Sequence, residues 1–351
     1  MLFYELIQVA LDLRKGLSRT PTEKEWAVLF EMSKKQSVAG VTFMALDKMM
    51  ESGQKPPLNV LYEWIAVAQQ LRTSYSQSEN VVQILSRTLY EGGFEMMVLK
   101  GHGIALNYPI KELRPSGDLD IWCFGKEKEV DKYLSSKKIK IDNSHHHHSV
   151  FHFEGITVEN HYDFINTHTR PSSKDVELRL KKLANGRLKA HNNENVYYPL
   201  ANFNAHFLLI HSASHFICNE MTVRHILDWG LFFQHHHKEI SWDDYLSYIK
   251  EIGIYRFYNL LGLFCMRNLG FDASIFHGLY DDDLFYRFSN EILSPEFRQK
   301  ENGYLINSMW VKLRRWWYNR WKNQLCYPDS LFSTFLYSLW GKILKPSHFI
   351  H

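Results

Sequence analysis

The sequence predicts an α+β protein: a small α/β core at residues 93–200, flanked by an N-terminal helical segment at 1–92 and a C-terminal helical domain at 201–351. Three observations predict this order. Apolar residues recur at helical spacing from Met1 to about Gly92, and short apolar runs replace them between Glu95 and about Phe164. Long aromatic-rich helical patterns then return after Asn202 and run to about Gly341.

The chain opens on an amphipathic helix, MLFYELIQVALDLRKGL, and Leu61, Trp64, Ile65, Ala68 and Leu71 mark a second apolar helical stripe. Breaks fall at Thr20-Pro21-Thr22 and Ser52-Gly53, and Thr22 with Glu25 has the spacing of a capping box. The strand candidates are Met96–Leu99, Leu119–Phe124, Ser149–Phe153 and Ile156–Phe164. The last two are joined by Glu154-Gly155, which predicts a hairpin with a two-residue turn. Between the first two, Gly101–Asn107 is a short helix, and Lys126–Lys137 is a stronger one. No internal repeat and no Pro/Ser-rich linker separates the three parts, so they are expected to pack on one another.

Composition narrows the function classes. Of 351 residues, 45% are hydrophobic and 15% aromatic, which excludes disorder for most of the chain. A formal charge of +3 is too small for a nucleic-acid coat or a membrane-surface protein, so any phosphate binding must be local. Cys123, Cys218, Cys265 and Cys326 lie far apart with no CxxC pair, which speaks against a zinc ribbon and a disulfide framework and for a reducing compartment. The N-terminus lacks the pattern of a signal peptide, and no run reaches the roughly 18 apolar residues of a membrane span. A soluble, cytoplasmic protein is expected.

The chemistry concentrates between Val98 and Ile121. Asp118-Leu-Asp120 opens an apolar run, and strand periodicity points both carboxylates to one face. Two adjacent acids repel, and a divalent cation such as Mg²⁺, which takes hard oxygen ligands and keeps positions open for phosphate, makes such a pair tolerable. Upstream, Met96–Leu99 feeds Lys100-Gly101, where backbone amides, a helix start and the Lys100 ammonium suit a phosphate. Arg114, before the Pro115-Ser116-Gly117 turn, is placed to fork onto a second phosphate group.

A strand, a glycine-containing turn, a short helix and Asp-x-Asp on the next strand resemble the nucleotidyltransferase superfamily to which DNA polymerase β belongs. More closely, Leu99-Lys-Gly101, Leu113-Arg-Pro-Ser-Gly-Asp-Leu-Asp120, the run His145–His148 and Val158-Glu-Asn-His161 look like the bacterial uncharacterised nucleotidyltransferase family. The similarity is dense from about Met96 to Phe164 and continues weakly into the segment holding His211, His215 and Asp228. One departure is that His102 follows Gly101, where the superfamily usually has Ser or Gly.

The resemblance implies a polymerase β-like core and a third carboxylate on a neighbouring strand. Glu159 matches that position, with Asp163 the nearby alternative, and counting by two puts Thr157, Glu159 and His161 on one face. It further implies two Mg²⁺ ions on Asp118, Asp120 and Glu159. Lys100, Gly101, Arg114, Ser116, Gly117 and His161 are the implied nucleotide contacts. The expected reaction moves a nucleoside monophosphate from a nucleoside triphosphate, by default ATP, to a hydroxyl of an acceptor, with a small molecule as the leading choice. The alternatives are a protein-modifying nucleotidyltransferase of toxin-antitoxin type and a non-catalytic nucleotide-binding scaffold.

Other motifs carry blander readings. A strand divides His145–His148 between two faces, too few on either for zinc, so strand packing and, by resemblance, the lining of the nucleotide cleft are expected there. His211 and His215 have the i, i+4 spacing of zincins without the general-base Glu, and are expected to be satisfied polar helix residues. Asp228 is expected to pair with Arg224 at i+4, and His235–His237 to end a helix. Arg314–Trp321 is expected to pack a Trp stripe on the core beneath snorkelling arginines rather than bind nucleic acid. Gly101-His-Gly103 lacks the third glycine of a dinucleotide fingerprint.

Overall fold

Apolar spacing sets the N-terminal helices α1 (Leu2–Ala10), α2 (Glu23–Lys35), α3 (Ala39–Met49) and α4 (Leu58–Glu91). The structure, a computed structural model, describes residues 1–49, 53–190, 193–294, 314, 317–330, 332–334 and 336–337. The expected capping box starts α2: Glu25 N–H donates to Thr22 Oγ1 (3.4 Å) and Thr22 N–H donates to Glu25 Oε2 (2.8 Å). Trp64 of α4 is fully buried, and its indole N–H donates to Ala39 O at 3.1 Å, so the largest apolar group on that face also satisfies its one donor.

The core then alternates: β1 (Met96–Val98), α5 (Lys100–Ala105), β2 (Leu119–Trp122), α6 (Glu127–Ser136), β3 (Ile141–Asp142), β4 (His148–Phe153), β5 (Ile156–His161), α7 (Ser173–Ala184), β6 (Arg187–Ala190) and β7 (Asn193–Pro199). Among the described residues the strands form one mixed seven-stranded sheet of order β3-β4-β5-β2-β1-β7-β6. The β4–β5 hairpin turns at Glu154 and Gly155, whose φ values of 47° and 80° are the left-handed pair that a tight two-residue turn requires. Strand β5 stops at His161 because the Tyr162 and Asp163 amides both turn to His147 O (2.8 and 3.0 Å), ending the ladder before the expected Phe164.

Helices α8 (Ala201–Ile217), α9 (Val223–His236), α10 (Trp242–Glu251), α11 (Tyr255–Phe264), α12 (Phe285–Leu293) and α13 (Arg320–Cys326) follow. One sheet face packs Leu119, Ile121 and Val158 on Leu85 and Leu89 of α4 and Val130 and Leu134 of α6. The other face sets Met97 and Trp122 against α7 and against Phe203 and Phe207 of α8. A third cluster joins both ends of the chain, with Tyr4 edge-on to Phe264 at 5.6 Å between ring centroids. The three parts pack on one another as expected, and no helix among the described residues is long and apolar enough to cross a membrane.

One backbone contact positions the site. Gly40 of α3 lies against the 3-10 turn Lys111–Leu113, where an added Cβ would fall 2.0 Å from the Leu113 carbonyl oxygen. Glycine is the residue that lets helix and turn touch, and that turn delivers Arg114 and the loop to Asp118.

Candidate active site on the central strands of the sheet

The site starts where β1 ends. Leu99 N–H donates to Asp120 O at 2.9 Å, and the chain then breaks into α5 through Lys100, held at φ +37°. A non-glycine residue there costs about 1–3 kcal/mol, and the surroundings must hold it. They do so through the side chain: half-buried Lys100 places Nζ 2.7 Å from Oδ1 of buried Asp120. Gly101 follows with ordinary contacts only, its nearest neighbours being Ser116 Oγ, Arg114 and the Asp118 carbonyl at 3.6–3.8 Å from an added Cβ. Nothing lies within 4 Å of a Cβ at Gly117, so neither glycine is forced by local packing, and both border open space in the cleft.

Strands β2 and β5 are parallel neighbours, and their register pairs Asp120 with Glu159. The two carboxylates therefore share a face, with His161 two residues on. Its Nε2 lies 2.8 Å from Asp120 Oδ1 and 3.4 Å from Glu159 Oε2, while His148, opposite His161 on β4, puts Nε2 3.7 Å from Glu159 Oε1. One ligand atom from each of Asp120, Glu159 and His161 falls within 4.8 Å of the others. Asp118, just before β2, faces the same cleft.

The electrostatics follow from this crowding. Burial works against the ionised Asp120, but the Lys100 ammonium and His161 outweigh it and hold the carboxyl well below the usual range. Burial likewise opposes Glu159, which His161 holds below its ordinary value. Asp118 goes the other way, raised by partial burial and by repulsion from Asp120 and Glu159. His161 is raised: burial and Lys100 oppose its charge, and Asp120 and Glu159 overcome them. Three carboxylates that repel one another, with Lys100 and His161 as their cationic partners, have the charge imbalance and the oxygen donors that suit a hard divalent cation.

Arg114 is the main departure from the sequence reading. It lines the polar cavity, but its guanidinium is buried and forks onto Asp228 of α9, with Nε and Nη2 each 2.8 Å from a carboxylate oxygen and Nη1 2.9 Å from Pro115 O. A buried guanidinium needs a fixed counter-charge, and Asp228 supplies it, also accepting from Tyr108 OH at 2.6 Å. Asp228 thus pairs first with Arg114, and its expected i+4 contact to Arg224 is the longer one at 3.4 Å. Arg224, part-exposed and lining the cleft, is the cation that sequence reasoning missed, since only the fold brings α9 over the Asp118 loop. Asp163, the nearby alternative, pairs with Lys181 at 2.5 Å, whereas Glu159 is in register with Asp120.

Two cavities meet here. A polar one of about 440 Å³ is lined by Lys100, Gly101, Ser116, Gly117, Asp118, Asp120 and Arg224. A more apolar one of about 310 Å³ is lined by Glu159, His161, Phe164, Val176, Ile210, Ile252 and Tyr327. Lys100 and His211 border both. From the tetrad, His147 reaches the apolar cavity, with its imidazole pushed down to about 2 first by burial, while His148 touches Glu159. The Arg314–Trp321 reading holds only in part among the described residues: Trp321 packs edge-on to Phe216 under Arg287, but Trp317 is 59% exposed with Arg320 over its ring. Within His235–His237, His236 at the end of α9 faces Asn107 Oδ1 at 3.0 Å.

No curated protein and no solved structure matches the chain. The family described as uncharacterised nucleotidyltransferase matches residues 22–270, from the start of α2 through α9 to beyond α11, and so takes in every residue of the polar cavity. The glycine turn, the Asp-x-Asp strand, the in-register Glu159 and the helices that close over them all lie inside that match, and the chain belongs to the uncharacterised nucleotidyltransferase family.

Proposed function

We propose that the protein is a Mg²⁺-dependent nucleotidyltransferase that joins a nucleoside monophosphate to a hydroxyl of a small-molecule acceptor. The observation that carries the reading is the register of β2 on β5, which sets Asp120 beside Glu159 with Asp118 repelled by both. Asp118, Asp120 and Glu159 would hold the metal, and bound Mg²⁺, as two ions, would supply charge neutralisation for the attacking oxygen and the leaving pyrophosphate.

The chain's own groups divide the remaining work. The polar cavity is the place for the triphosphate: Gly101 and Gly117 leave room for close approach, Ser116 offers a hydroxyl, and Lys100 and Arg224 offer positive charge. The apolar cavity is the place for the acceptor, with Glu159 at its edge. The acceptor oxygen attacks the α-phosphorus, the bond from that phosphorus to the bridging oxygen breaks, and pyrophosphate leaves. Glu159, held ionised beside His161, takes the hydroxyl proton. ATP is the default donor.

One observation favours a second reading. Lys100 already places an ammonium on Asp120, the arrangement a non-catalytic nucleotide-binding scaffold would keep. A screen for pyrophosphate release with Mg²⁺, each nucleoside triphosphate and pools of hydroxylated small molecules separates the two, with Asp120→Ala as the control. Release that disappears in Asp120→Ala supports transfer. Triphosphate binding without release from any pool supports the scaffold, and an active Asp120→Ala variant refutes the role given to the acids.

A further inference from the structure

Across the cleft from the carboxylates, His211 and His215 of α8 and His225 of α9 bring their rings together. His211 and His215 lie on one helix face at i and i+4, and their Nε2 atoms are 3.2 Å apart. The ring centroids of His215 and His225 are 4.5 Å apart, and one ligand atom from each of the three imidazoles falls within 4.8 Å of the others. All three border the polar cavity. We propose that this trio is a second metal site, for a divalent transition ion of the zinc type, separate from the carboxylate site and open to the same cleft.

The geometry supports this atom by atom. Tetrahedral zinc with bonds to imidazole of about 2.0–2.1 Å places neighbouring nitrogens about 3.3–3.4 Å apart, and the His211–His215 separation is already close to that edge. His215 turns Nδ1 toward the Glu220 carboxylate at 3.5 Å, the outer partner that orients a ligating histidine, and points Nε2 at His211. For His225, the Thr222 amide N–H donates to Nδ1 at 3.1 Å and Arg224 Nη2 lies 3.0 Å from Nε2, so donors meet both ring nitrogens. Thr222 Oγ1 also lies 3.2 Å from Nδ1, within the capping box that holds the ring at the start of α9. An ion bound at Nε2 displaces Arg224, which keeps Asp228 as its partner, and requires the Thr222 amide to release Nδ1.

Ligand chemistry separates the two walls. Imidazole nitrogens suit Zn²⁺, Co²⁺ and Ni²⁺, whereas carboxylates and phosphate oxygens suit Mg²⁺, so a cleft with both would sort its ions. Three protein ligands leave a fourth position facing the cavity, for water or an oxygen of a bound molecule. This proposal stands apart from the transfer reaction and survives if the chain proves to be a scaffold.

The test uses the full chain, stripped with a chelator, dialysed, and titrated with Co²⁺ in excess Mg²⁺. Expected are one Co²⁺ per chain with the intense visible bands of tetrahedral coordination, retention of both in Asp120→Asn, and at least tenfold weaker binding with loss of the bands in His215→Gln and His225→Gln. Circular dichroism checks folding, and should the buried His225 variant not fold, part-exposed His215 decides alone. Absence of tight Co²⁺ binding by the unaltered chain overturns the proposal. Bands that persist in His215→Gln, or that vanish in Asp120→Asn, overturn it equally.

Discussion

Replacing Asp228 with Ala removes the counter-charge from a buried guanidinium. Arg114 and Asp228 have side chains only 3% and 8% exposed and share two bonds of 2.8 Å, and Tyr108 OH adds a third to the same carboxylate at 2.6 Å. In Asp228→Ala, Arg114 keeps only the Pro115 carbonyl, and Arg224 cannot replace the lost partner because it carries the same sign. Stranding one member of a buried pair costs about 3–5 kcal/mol. With a urea slope of roughly 3 kcal/mol/M for a chain of this size, the denaturation midpoint should fall by about 1–1.7 M.

The double variant Arg114→Met with Asp228→Leu should recover most of that loss, because apolar groups of similar size replace a buried pair at little net cost. Equilibrium urea unfolding followed by circular dichroism measures all the terms. A single-variant loss below about 1 kcal/mol, the scale of an exposed pair, would refute the argument. So would a double variant no more stable than Asp228→Ala. The pH dependence has a definite sign: burial opposes the ionised Asp228 but Arg114 outweighs it, so the folded carboxyl lies below its ordinary value. Its stabilisation is therefore present above the unfolded aspartate pKa and is lost as pH falls through the lower folded one, and the double variant should lack that component of acid sensitivity.

Lys100→Met should tighten Mn²⁺ binding in the absence of nucleotide. A unit charge 2.7 Å from Asp120 is worth roughly 6 kcal/mol at an effective dielectric of about 20, and about a quarter of that is already tenfold in affinity. Electron paramagnetic resonance of free Mn²⁺ reads the change, and unaltered or weaker binding would show that Lys100 does not compete for the acids. His161 supplies the pH test: its folded pKa is raised by Asp120 and Glu159 against burial and Lys100, so while protonated the ring competes with an incoming cation for the two acids. Mn²⁺ affinity should climb as pH rises through the range above an ordinary imidazole, near 6.5, and His161→Asn should flatten that climb. The stability that protonated His161 contributes runs the opposite way, full below the unfolded pKa and lost as pH rises through the folded one.

The elements the sequence made legible are those whose partners are close along the chain. Thr22 and Glu25 are three residues apart, and Glu154-Gly155 needs only its own two dihedrals to make a hairpin. Period two placed Glu159 and His161 on one face without knowledge of the neighbouring strand, because alternation is a property of the strand itself. Strands β6 and β7 were not legible. Arg187-Leu-Lys-Ala and the segment after it read as polar, and their pairing exists because β7 finds β1 roughly a hundred positions away in the chain. Arg114 failed for the same reason, since its partner Asp228 sits on a helix that spacing cannot bring near. His225 was passed over because only the packing of α9 on α8 carries it to His211 and His215.

The two cavities differ in how the family covers them, and the difference bears on what members share. Every residue lining the polar cavity, from Ser37 to Asp228, falls within the matched range 22–270. The apolar cavity is completed by Cys326, Tyr327 and Pro328 at and just beyond the end of α13, outside that range. Tyr327 stacks there on Arg170, whose guanidinium lies 3.5 Å from its ring centroid, so this outlying segment packs onto the wall. On the proposed reading, the chemistry that handles phosphate and metal belongs to the matched body of the chain, while the shape that selects an acceptor is finished by residues the match does not reach. Substitutions at Tyr327 should therefore alter which acceptor is used and leave triphosphate binding intact. The same substitutions would weaken both if one undivided pocket held the whole substrate.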